Sequence, residues 1–314
     1  MNPTNYAARA MSAPVISIAP VVIPTVGREV DLQVRVSAPA TGTNLPVLLL
    51  SHGHGRSRHL SSLNGYAPLA NFYAAHGFVV IQPTHLDSAT LTLTGTDPDA
   101  PLYWRTRTHD MSDILDHLDV VEDVVPDLAG RINHSAVGVI GHSLGGLTAS
   151  MLLGAQVIDP LTGARSDQRD ARITAGVLLA APGRGGDALS ETIPPFFSFL
   201  SSIDFNPMTT PALVVAGDND PSPHLTVAGP DWHADPYRLA PAPKTLLTLQ
   251  GGEHQLGGVS GYDVTETTDD DPARLAAVQC LSWAYLRTQL GVDEGAWEIA
   301  QDALQPLIGD IQDK

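Results

Sequence analysis

The chain has 314 residues, 43% of them apolar and only 16% charged, with 28 glycines and 25 prolines. That is the composition of a folded, loop-rich protein, and it excludes coiled-coil, collagen-like and disordered chains. Acidic residues outnumber basic ones by 34 to 17, a formal net charge of −17, so the surface repels polyanions and nucleic acid is not an expected partner.

Only Lys244 and Lys314 are lysines, and no basic amphipathic stretch is present. No apolar run approaches the ~20 residues that span a bilayer. No membrane partner is therefore expected. The first twelve residues carry Arg9 without an apolar run behind it, which does not read as a secretory signal, and the expected location is cytoplasmic. Residues 1–14 are expected to be a flexible N-terminus ahead of a single domain, 15–314. The one cysteine, Cys280, falls in the apolar pattern Ala276, Ala277, Leu281, Ala284 and reads as a small core residue. Nothing in the sequence specifies an oligomeric state.

From Val15 onward, short β-branched runs alternate with longer helical patterns, as in a largely parallel sheet covered by helices on both faces. Val15 to Ile23 and Glu29 to Ser37 are expected to form an antiparallel pair around Pro24, Thr25, Val26 and Gly27. Continuous apolar strands of the buried kind follow at Pro46 to Ser51, Phe78 to Gln82, Ala136 to Ile140, Ala175 to Ala181, Ala212 to Ala216 and Thr245 to Leu249. The total is about eight strands in an α/β fold. Helices are expected at Leu60 to His76, His109 to Val125, Leu144 to Gln156 and Pro272 to Leu290. Pro126 stops the second, and Asp271 or Asp270 can cap the last. The stretch 187–208, with Phe196, Phe197, Phe199 and Leu200, reads either as a small cap that offers substrate-binding side chains or as an insertion packed on the core. Glu294 to Ile311 carries Trp297, Ala300, Leu304 and Ile308 at helical spacing.

The sharpest chemical signal is Gly141-His142-Ser143-Leu144-Gly145, placed between the strand Ala136 to Ile140 and the helical pattern that starts at Leu144. A G-x-S-x-G turn in that context lifts a serine hydroxyl clear of the sheet at a helix N-terminus. The turn is strained, and side chains at Gly141 and Gly145 would collide. A serine needs a histidine base and a carboxylate that orients it. Asp220 follows one strand in Gly217-Asp218-Asn219-Asp220, His254 follows the next in Gly251-Gly252-Glu253-His254, and strand ends on one edge of a parallel sheet converge. For an oxyanion hole the backbone N–H groups of Leu144 and of His54, in Ser51-His52-Gly53-His54-Gly55, are the expected donors. His52, His54 and His59 are close in sequence, but Arg56, Ser57 and Arg58 beside them are poor metal ligands, so no metal and no cofactor are expected.

The run Pro46 to His85, together with the nucleophile segment, Gly217-Asp218-Asn219-Asp220 and Glu253-His254, resembles the α/β-hydrolase superfamily over roughly residues 30 to 290. More narrowly it looks like the branch of dienelactone-hydrolase-like, platelet-activating-factor-acetylhydrolase-like and chlorophyllase-like esterases. The resemblance implies a serine esterase with the residue after His-Gly, His54, as an oxyanion donor. Some members of that branch take the acid after the sixth strand, which would here be Asp187. The expected activity is hydrolysis of small to medium carboxylic esters through an acyl-enzyme. A thioesterase, amidase or acyltransferase with the same triad, or a silent binding member, are the alternatives. A dehalogenase or epoxide hydrolase would carry an aspartate in place of Ser143.

Overall fold

The structure is a computed structural model, which describes residues 12–159, 162–261 and 264–314. Most of the expected flexible segment, residues 1–11, lies outside the described residues. Its last residues are tied down: Ala13 N–H donates to the Ala75 carbonyl at 2.8 Å, and the Pro14 carbonyl accepts from Ala40 N–H at 2.8 Å.

In chain order the strands are β1 (Val15–Ile23), β2 (Leu32–Pro39), β3 (Leu45–Ser51), β4 (Val79–Pro83), β5 (Ile132–His142), β6 (Gln156–Ile158), β7 (Arg165–Ser166), β8 (Ile173–Leu179), β9 (Ile203–Asp204), β10 (Ala212–Gly217), β11 (Lys244–Leu249) and β12 (Gly309–Asp313). Nine of them form one sheet in the order β1-β2-β4-β3-β5-β8-β10-β11-β12. The six from β4 to β11 are parallel, with antiparallel neighbours at both ends. The eight expected strands are all present. β6, β7 and β9 make a small second sheet.

Period two along β3 explains how both faces are filled. Val47 and Leu49 join one core cluster while Leu48 and Leu50 join the other, so every second side chain meets a different helical layer. On the first face lie α2 (Trp104–Asp116), α3 (Leu118–Val124) and α4 (Leu144–Leu152); on the second, α1 (Ala67–Ala75), α6 (Pro272–Gln289) and α7 (Ala296–Ala303). The short α5 spans Asp235–Leu239. Cys280 is buried within α6 as expected. Asp271 caps α6 by accepting from Ala273 N–H at 2.8 Å and Arg274 N–H at 3.1 Å. Among the described residues no helix is long and apolar enough to cross a membrane.

Four elements depart from expectation. The helix expected from Leu144 to Gln156 ends at Leu152, and Gln156 already opens β6. The helix expected from Leu60 begins only at Ala67, because Tyr66 is left-handed (φ 60°) and Pro68 occupies the first turn. The single helix expected over 109–125 starts at Trp104 and breaks at His117. The C-terminal helical pattern ends at Ala303, and after Pro306 the chain turns into β12, antiparallel to β11.

Candidate active site

β5 ends at His142 and α4 begins at Leu144, so Ser143 alone turns the chain, with φ 54° and ψ −121°. L-residues avoid that region, and such strain persists only where packing imposes it. The glycines show what imposes it. A Cβ on Gly141 would lie 1.9 Å from the Gly145 carbonyl oxygen, and one on Gly145 would lie 2.2 Å from the Ser51 carbonyl oxygen. Ser143 N–H donates to the Leu179 carbonyl at 2.9 Å, tying the turn to β8. Leu144 N–H, the first amide of α4, has no acceptor within its own helix.

The loops after β10 and β11 are laced together. Asp218 N–H donates to Leu249 O at 3.1 Å, Asn219 N–H to Gly252 O at 2.9 Å, and the Asp218 carboxylate accepts from Gly251 N–H at 2.6 Å. This lacing delivers Asp220, 2% exposed, to His254, whose Nδ1 donates to Asp220 Oδ2 at 2.7 Å. Burial alone would raise the Asp220 carboxyl, but hydrogen bonds from His233 and His254 hold it well below the usual carboxylate range. Asp187 stands exposed on the turn Gly186–Ala188. Asp218 serves the lacing. Of the three candidate acids, the one in contact with His254 is Asp220. Behind His254, Asp269 accepts from the N–H groups of Glu253 and Gly257 at 3.0 and 2.9 Å.

Beneath the loop after β3 lies a buried ion pair. Arg107, fully enclosed in α2, donates to Asp87 and to the His52 carbonyl, and to Thr148 Oγ1 at 3.0 Å. Asp87 Oδ2 in turn accepts from His54 Nδ1 at 3.1 Å. Burial would raise Asp87, yet the Arg107 guanidinium and the His54 hydrogen bond hold it well below its ordinary value. Its folded value is therefore below its unfolded one. The pair stabilises the fold above about pH 4, and that contribution is lost as the pH falls through the acid range. Arg107→Met should cost about 3–5 kcal/mol, because it strands a buried carboxylate. Urea unfolding at pH 7 measures this, and an unchanged midpoint would show that the pair does not hold the loop.

A second chain of bonds joins the same loop to the histidine loop. Gly53 N–H donates to the Tyr66 hydroxyl at 2.9 Å; Tyr66 donates to His142 Nδ1 at 2.8 Å; His142 Nε2 donates to the His254 carbonyl at 2.7 Å. The direction is forced, since a carbonyl only accepts and a neutral imidazole has one N–H. His142 is pushed down to about 3, first by burial and then by the facing His254, so it stays neutral.

Ser143, Leu144, Asp220, His254 and His54 all line one cavity of about 640 Å³. Phe197 and Leu200 form part of its wall; Phe196 and Phe199 instead line a separate depression, where Phe199 stacks on Trp104 at 5.3 Å. The expectation that all three phenylalanines bind substrate is corrected by helix pitch. Pro195–Ser202 is a 3₁₀ helix, in which residues three apart share a face: 196 with 199, and 197 with 200. The insertion is thus anchored on the core by Phe199 and also walls the cavity.

His52, His54 and His59 do not share a point. His52 Nε2 accepts from His85 N–H at 3.1 Å while Nδ1 donates to Gly53 O at 2.8 Å, and His59 is exposed. Among the described residues, Asp220, His233 and His254 are close enough to surround an ion. Their atoms meet at hydrogen-bond distances, with His233 Nε2 at 3.0 Å and His254 Nδ1 at 2.7 Å from the same Asp220 oxygen. Ligand atoms around a four-coordinate zinc stand about 3.3 Å apart.

Sequence reasoning missed Tyr66, Asp87, Arg107 and His233, and it gave His142 no role. Asp87 and Arg107 flank the long excursion after β4, and no local pattern marks them. The family model described as "Alpha/beta hydrolase family" matches residues 47–298. The sheet order, the strained turn at Ser143 and that match together place the chain in the α/β-hydrolase family, and it is a hydrolase of that superfamily. Among curated proteins none matches the chain.

Proposed function

We propose that the protein is a serine hydrolase that cleaves carboxylic esters of small to medium size through an acyl-enzyme. The observation that carries this reading is the 2.7 Å contact between Asp220 and His254 in the cavity that holds the strained Ser143. Asp220 fixes the Nδ1–H tautomer of His254, which leaves Nε2 to take the Ser143 proton and later return it to the leaving alcohol. Leu144 N–H and His54 N–H receive the developing oxyanion. Water then attacks the ester of Ser143 by the same route. Nothing in this constellation selects oxygen over sulfur or nitrogen as leaving atom, so thioesters and amides are the competing substrates.

The cavity wall points to uncharged esters. Glu253 and Glu266 line it, and its described lining includes no lysine or arginine, so a free carboxylate on the substrate meets like charge. Stoichiometric labelling of Ser143 by a fluorophosphonate, together with turnover of p-nitrophenyl esters of increasing acyl length, tests the reading. A chain that binds such esters but neither labels nor turns over would be a silent binding member.

For the oxyanion loop, His54→Ala is expected to be mild and His54→Pro severe, by about 10²–10³ in kcat, because the proposed role belongs to the backbone N–H. Equal losses in two folded variants would transfer the role to the imidazole that Asp87 holds.

A further inference from the structure

The acid of the site is shared by two histidines. His233 lies in the 3₁₀ turn Gly229–Ala234 and is 1% exposed. Its Nε2 is 3.0 Å from Asp220 Oδ2 and 3.1 Å from Ser222 Oγ, and its Nδ1 is 3.0 Å from the Ala181 carbonyl oxygen. Ser222 donates its own proton to Asp220 Oδ1 at 2.8 Å.

Carboxylate and carbonyl oxygens only accept, so both ring nitrogens of His233 face acceptors. A neutral imidazole has one N–H and one lone pair. Either neutral tautomer would aim a lone pair at an oxygen 3.0 Å away, in a buried place where unmade bonds are costly. If Ser222 turned its proton to Nε2 instead, 3.1 Å away, the buried Asp220 Oδ1 would lose the donor it has at 2.8 Å. The form that satisfies every contact is the imidazolium, with Asp220 as its counter-charge.

We propose that His233 is a positioning residue, held as a buried imidazolium, that shares the Asp220 carboxylate with His254 and thereby sets the pH at which His254 becomes a free base. The catalytic part of this inference rests on the reading of Asp220 and His254 as the acid and base of an esterase. The other titratable groups around His233 are His142 and His224, both held below the ordinary imidazole value chiefly by burial, so neither adds a competing charge. On α5 the Asp235 carboxylate accepts from Arg184 N–H at 3.1 Å. A cation on the far side of Asp220 disfavours protonation of His254. Removing it raises the His254 threshold, and the acid limb of kcat/KM moves to higher pH.

His233→Gln keeps a neutral donor where Nε2 stands and discards the charge; His233→Leu discards both. The Gln variant should retain most of the maximal kcat with its acid limb raised by about one pH unit. The Leu variant should lose turnover at every pH. An unmoved acid limb in His233→Gln would overturn the proposal. A second measurement needs no variant: ¹⁵N spectra of histidine-labelled wild-type protein at pH 7.5, with His233 assigned through its backbone. Both ring nitrogens are expected at imidazolium positions, and a neutral-tautomer pair would overturn the proposal. If the wild type turns over no ester, the esterase reading fails, and the nitrogen spectrum still decides the state of His233.

Discussion

Ser143→Ala is expected to abolish ester turnover, by about 10⁴-fold or more, while the fold persists. Turnover depends on the hydroxyl alone among the groups this change removes. The strain at φ 54° is imposed by the close approach of Gly141 to Gly145 and of Gly145 to Ser51, and alanine has a Cβ like serine's, so the turn survives. Ser143 donates to Leu179 through its backbone, a bond that alanine keeps. Purified variant and wild type compared by kcat/KM on one p-nitrophenyl ester, with thermal melts side by side, decide the matter. Retention of most activity would remove the nucleophile and the mechanism with it.

Asp220→Asn should slow turnover by about 10⁴. An amide at this position can aim N–H groups at His254 Nδ1 and so favour the wrong tautomer, with the Nε2 proton where the base lone pair is needed. The same substitution strips the counter-charge from the two imidazoles that meet at Oδ2. Asp218→Asn disturbs only the bond to Gly251 N–H, and Asp187→Asn alters an exposed side chain; less than about tenfold is expected for each. The three variants compared by kcat at pH 7 test the assignment. A crippling Asp187→Asn would place the acid after the sixth strand, as in the branch of the superfamily that uses it.

Much of the site was legible because the relevant chemistry falls at strand ends. Asp220 and His254 are 34 positions apart, yet parallel neighbours in a sheet end on the same edge, so two successive strand termini bring their loops together whatever lies between. The elbow at Ser143 was readable for a similar reason: strand, small residues and helix follow one another without a gap. The phenylalanine cluster misled because composition carries no pitch. A 3₁₀ turn sends Phe197 and Leu200 one way and Phe196 and Phe199 the other, with Phe199 stacked on Trp104. β12 was hidden because an edge strand covered on one face needs few apolar residues. In Gly309-Asp310-Ile311-Gln312-Asp313 a single isoleucine turns inward.

By itself, then, the sequence determined the α/β class, the positions of the main strands along the chain and the residues that end them, since hydrophobic period and turn chemistry are local. The supports of the site were decided by tertiary structure alone. Arg107 beneath His52, Tyr66 between Gly53 and His142, and His233 on the far side of Asp220 each act across elements distant in the chain. A buried polar side chain takes its role from the particular acceptor that packing places within 3 Å of it, and no spacing in the sequence encodes that distance.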